Sequence, residues 1–86
     1  MNLVSVRCLC CGCRTLSTPG AFELCPVCWW QDDGQDESDA DVVRGGPNGA
    51  LSLTIARANF LAFGASDRRF LSRVRAALPT EQIAAA

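Results

Sequence analysis

The chain has 86 residues, a formal net charge of −1, six cysteines and no histidine. That length sets one domain, too small to bury a large core without a staple. The missing histidine removes Ser-His-Asp and Cys-His catalysis, histidine-ligated catalytic zinc and the usual near-neutral acid–base group, so an enzyme is not expected.

Residues 1–31 are expected to form a metal-binding β unit. The opening Met1–Arg7 has neither the apolar run nor the cleavage site of a secretory signal, and no later stretch is apolar enough to span a bilayer. A cytoplasmic protein without membrane contact is expected, in a compartment that keeps thiols reduced. Val4 to Arg7 reads as a strand. Arg14 to Leu16 and Ala21 to Leu24 read as a hairpin around Ser17-Thr18-Pro19-Gly20.

The cysteines carry the main signal. Cys8-x2-Cys11 is followed after thirteen residues by Cys25-x2-Cys28. Each pair can form a knuckle that aims two sulfurs at one point, with backbone N–H groups donating to them. Gly12 suits a left-handed position closing the first turn, and Pro26 pre-sets the second. Two knuckles complete a tetrahedral four-sulfur shell, as structural zinc takes; iron in a rubredoxin-like site is the alternative. Zinc is preferred because the loop between the pairs is short. Cys10 and Cys13 form a second C-x2-C, so a slipped ligand set stays open. Otherwise they are small buried residues or a reactive pair.

Trp29 and Trp30 follow the second knuckle. One is expected to pack over the metal site, and the other can anchor an interface. Residues 32–50 form an acidic, turn-rich connector. Asp32, Asp33, Asp36, Glu37, Asp39 and Asp41 are either a solvated loop or a docking surface for a basic partner. They lack the spacing of a calcium-binding EF-hand.

Residues 51–78 read as two helices. Ser52 caps the first, Leu53, Ala56, Phe60 and Phe63 line one face, and Gly64 stops it. Ser66 is expected to cap the second, with Phe70, Leu71, Val74, Ala77 and Leu78 as its apolar stripe. Arg68, Arg69, Arg73 and Arg75 give it a basic side. Residues 79–86 are a tail.

Taken together, Cys8-Leu9-Cys10-Cys11-Gly12, Arg14-Thr15-Leu16, Cys25-Pro26-Val27-Cys28, Trp30, Asp32-Asp33-Gly34, Gly45-Gly46-Pro47-Asn48, Ser52-Leu53, Ala56-Arg57, Asn59-Phe60, Phe63-Gly64-Ala65 and Arg69-Phe70 resemble the bacterial cysteine-rich CPCC family. Leu9 stands where the family has the proline of its name, and Cys13 lies outside its pattern, so no ligand role is carried onto Cys13. The resemblance implies a small metal-binding protein that usually stands alone. Some stand-alone bacterial proteins of this general kind are immunity proteins or antitoxins.

The expected fold is α+β: a small zinc-ribbon-like β unit with two C-terminal helices packed on it and supplying most of the apolar core. The expected metal ligands are Cys8, Cys11, Cys25 and Cys28. The expected function is a non-enzymatic, zinc-binding protein-interaction module, an immunity protein or antitoxin being one form. Its interface residues would be Trp29, Trp30, Asp32, Asp33, Asp36 and Glu37. A nucleic-acid-binding zinc ribbon and a rubredoxin-like iron or redox protein are the alternatives. Four thiolates on a divalent metal take the charge to about −3, which disfavours nucleic acid.

Overall fold

A computed structural model describes residues 6–82. Strand β1, Val6–Arg7, pairs antiparallel with β2, Arg14–Leu16, around the first cysteine turn. Val6 faces Leu16 and Arg7 faces Arg14, with a bulge between Val6 and Arg7. The Val4 and Ser5 end of the expected strand and residues 83–86 of the expected tail lie outside the described residues.

The hairpin expected between β2 and residues 21–24 does not form. Phe22 has φ +61°, which breaks an extended run. The Glu23 carboxylate instead accepts from the Ser17 and Thr18 backbone N–H groups and the Ser17 hydroxyl. Residues 22–25 pair across the second cysteine turn: Phe22 donates to the Asp32 carbonyl, Asp32 to that of Glu23, and Cys25 to that of Trp30. Each knuckle therefore has its own pair of antiparallel arms.

The helix α1, Leu53–Phe63, forms as its end signals require. The Ser52 hydroxyl accepts from the Ile55 N–H, and Gly64 closes the helix at φ +89°, in the left-handed region where a side chain is strained. Leu53 and Ala56 are fully buried, Phe60 packs against the core, and Phe63 is half-buried.

Among the described residues there is one α-helix, not two. The second expected helix is a single 3-10 turn, Arg68–Phe70, followed by an extended strap. Three hydrogen bonds decide this. The Ser66 N–H donates to the Cys28 carbonyl and the Ser66 carbonyl accepts from Asn59, so Ser66 is tied down and Asp67 caps the turn instead. After Val74 the Arg75 N–H donates to the Pro26 carbonyl, which draws the chain off any helical path. The strap ends where the Arg14 N–H donates to the Glu81 carbonyl at 2.7 Å. Val74 and Ala77 thereby line a groove over Cys13, Val27 and Phe60 rather than a helix face.

The core is correspondingly centred on sulfur. Cys8, Cys10, Cys13, Cys25, Cys28, Leu16, Trp30, Val27, Leu51, Leu53 and Ala56 form its buried cluster, so α1 contributes a lid rather than most of the mass. Among the described residues no helix is long and apolar enough to cross a membrane.

Two outcomes test this architecture. Ser52→Ala should cost about 1 kcal/mol in urea denaturation through loss of the helix cap. Glu81 is held below the ordinary carboxylate range, first by Arg75 and then by the Leu78 N–H. A depressed carboxylate stabilises the fold above its unfolded pKa of about 4.3, and that stabilisation is lost as pH falls through the folded value. Glu81→Gln should lower the urea midpoint at neutral pH, and the gap to wild type should close in strong acid.

Candidate metal centre

Each C-x2-C segment closes in the same way. In the first, the Gly12 N–H donates to the Cys8 carbonyl at 2.7 Å; in the second, Trp29 donates to Cys25 at 2.8 Å. The residue after the second cysteine is left-handed in both, Gly12 at φ +82° and Trp29 at φ +69°. The next residue directs its N–H to that cysteine's sulfur, Cys13 to Cys11 at 3.5 Å and Trp30 to Cys28 at 3.4 Å. The arms close alike too, Cys8 donating to the Cys13 carbonyl and Cys25 to that of Trp30. The two knuckles are thus copies in local conformation, with Leu9 matching Pro26, Cys10 matching Val27, and Cys13 matching Trp30.

This repetition brings four sulfurs together. The Sγ atoms of Cys8, Cys11, Cys25 and Cys28 all lie within 4.8 Å of one another. Cys8 and Cys28 are 3.5 Å apart and Cys11 and Cys25 3.7 Å apart. Tetrahedral thiolates at a metal–sulfur bond of about 2.3 Å are separated by about 3.8 Å, so the donor set fits one metal ion. None of the six cysteines is in a disulfide. Cys10 and Cys13 are buried beside the group but outside it, which makes the slipped set the poorer fit.

The electrostatics of the four thiols are those of a group that needs a cation. Contacts from Cys11, Cys28 and Cys8, with the Thr15 hydroxyl at 3.0 Å, hold the Cys25 thiol far below its ordinary range. Cys28 is pushed far up, first by Cys10 and then by Cys11, Cys25 and Cys8, and Cys11 is pushed up, first by Cys25. A bound cation replaces the protons of the raised thiols, so metal affinity rises with pH.

Nothing in the residue pattern marks Thr15 as a donor to sulfur. It lies on β2 and reaches Cys25 from ten residues away in the chain. Trp29 could not be read as a left-handed residue either, because tryptophan is a poor residue for that region.

The residues put forward as an interface separate. Trp30 is 1% exposed, so it belongs to the core and not to a docking surface. Asp32 and Asp33 are also buried: Asp32 accepts from the Gly20 and Gly34 N–H groups, and Asp33 from Gln35. Trp29 is half-buried, while Asp36 and Glu37 stand at the surface. There Asp36 caps Ser38 and Glu37 pairs with Arg57.

Cys25→Ser should abolish metal binding and unfold the domain, since a structural metal contributes its binding energy to folding. Cys13→Ala should keep the full metal content, read by elemental analysis beside wild type. Metal lost with Cys13 would assign the ligands to the other C-x2-C.

No curated protein and no solved structure matches the chain. The family model described as cysteine-rich CPCC matches residues 6–81, which takes in both knuckles, α1 and the strap through Glu81. A cysteine-rich chain with a four-cysteine group able to hold a metal, matched over nearly its whole length, belongs to the cysteine-rich CPCC family.

Proposed function

We propose that this protein is a non-enzymatic protein-interaction module whose four cysteines hold a structural zinc ion. The observation that carries the reading is the closed sulfur shell: four protein donors fill a tetrahedron, and Cys8, Cys25 and Cys28 have no exposed surface. Catalytic zinc keeps a coordination position for water or substrate, and this donor set supplies none. The absence of histidine supports the same conclusion. Zinc is favoured over iron by the short loop between the knuckles.

Support for a partner comes from the outer face of α1. Ile55 is 50% and Leu61 86% exposed, and Ala58 and Ala62 are exposed on the same helix. Apolar residues at this spacing form a stripe that a second protein can cover. An immunity protein or antitoxin would be one form of such a module.

Elemental analysis should find one zinc per chain in a colourless protein. A red, iron-loaded protein would replace this reading with electron transfer. Ile55→Asp/Leu61→Asp should keep the metal and lose a partner that wild type retains on purification from its native host. Wild type that retains no partner would count against the module.

A further inference from the structure

The formal charge of the chain misdescribes its surface. Each of the nine carboxylates accepts a hydrogen bond from within the chain. Glu23, Asp32, Asp33 and Asp36 take backbone N–H groups, Asp41 takes the Thr54 hydroxyl, and Glu37, Asp39, Asp67 and Glu81 each meet an arginine. Four of the eight arginines are engaged in those pairs, Asp67 reaching Arg69 only at 3.5 Å. Arg68 and Arg73 meet no carboxylate among the described residues, and both are exposed.

These two lie with Arg69 in one turn of the chain, where Arg68 and Arg69 are each held against an aromatic ring. The Arg68 guanidinium stacks 4.6 Å above the Phe63 ring and that of Arg69 4.7 Å above the Phe70 ring. Stacking fixes the guanidinium plane and leaves its N–H edges free for a carboxylate. Asp67 caps the turn, Leu71 donates to the Arg68 carbonyl and Arg73 to that of Phe70. Ser66, just before it, is bonded to the Cys28 carbonyl, so the turn is mounted directly on the second knuckle. Among the described residues Arg7 and Arg14 also lack a carboxylate, but they face each other across β1 and β2 and are not part of this turn.

We propose that the turn carrying Arg68, Arg69 and Arg73, with Leu71 among them, is the docking surface for an acidic, leucine-containing segment of a partner protein. The inference rests on the protein-interaction reading and gives the partner a chemistry. Free guanidinium groups call for an anion. Leu71, 45% exposed between the arginines, calls for an apolar side chain beside it. Phe63, under Arg68, is the last residue of α1, so the basic turn continues from the helix that carries exposed Leu61. A nucleic-acid backbone would meet the arginines but leave Leu71 and Leu61 uncovered.

The test measures binding of three labelled probes to the metal-loaded chain by fluorescence anisotropy: a Leu-Glu peptide, the Leu-Lys peptide of equal length, and a single-stranded DNA carrying the same charge as the Leu-Glu peptide. Wild type should bind the Leu-Glu peptide best, with affinity falling as salt rises. Arg68→Ala/Arg73→Ala should weaken that binding about tenfold while metal content and circular dichroism stay unchanged. Equal binding by the variant, or none by wild type, would overturn the assignment of this surface and leave the interaction module to its own test at Ile55 and Leu61. DNA bound more tightly than the Leu-Glu peptide would overturn both.

Discussion

Four sulfur atoms within 4.8 Å of one another cannot all carry a negative charge without a cation between them. Protons or a metal must supply it, and only a metal ties the four together at fixed distances. Much of the rest of the structure serves that convergence. Paired arms present each knuckle, backbone N–H groups and the Thr15 hydroxyl point at the sulfurs, and Trp30 and Leu16 shield them. Helix α1 and the strap then cover the two remaining sides, with Ala77 and Phe60 packed on the cluster. A chain this short gains in this way a core that its apolar residues alone would not provide.

Legibility in the sequence followed the range of the interactions. The C-x2-C spacing, Gly12, Ser52 and Gly64 act over four residues or fewer, and the two knuckles and α1 are where they imply. The Asn59 amide spans seven residues to bond the Ser66 carbonyl just past the helix. What could not be read was set by partners far along the chain. Ser66 looks like a cap until the Cys28 carbonyl claims its N–H, and the apolar stripe from Phe70 to Leu78 looks helical until Pro26 takes the N–H of Arg75. The arms depart from the expected hairpin for a more local reason. Glu23, which reads as an exposed strand residue, turns its carboxylate back onto Ser17 and Thr18.

The acidic connector shows the same limit in charge. As a string, six carboxylates in ten residues look like a negative patch. In the fold they are mostly acceptors. Asp32 and Asp33 are buried in turns of their own making, Asp39 joins Arg44 to the Asp36 N–H, and Asp41 holds the start of α1 through Thr54. Gln35, fully buried among them, fastens the connector by donating to the carbonyls of Asp39 and Val42. A count of residues records the charges but not where their lone pairs are used.

The bond from Arg14 to the Glu81 carbonyl also sets an order on how the molecule is made. During synthesis all four sulfur donors have been added by residue 28, so the metal-binding half is ready long before the strap exists. The strap, which crosses Pro26 and ends on β2, can be laid down only when residue 81 has left the ribosome. The four sulfur donors are therefore together in the nascent chain well before the strap can close over them.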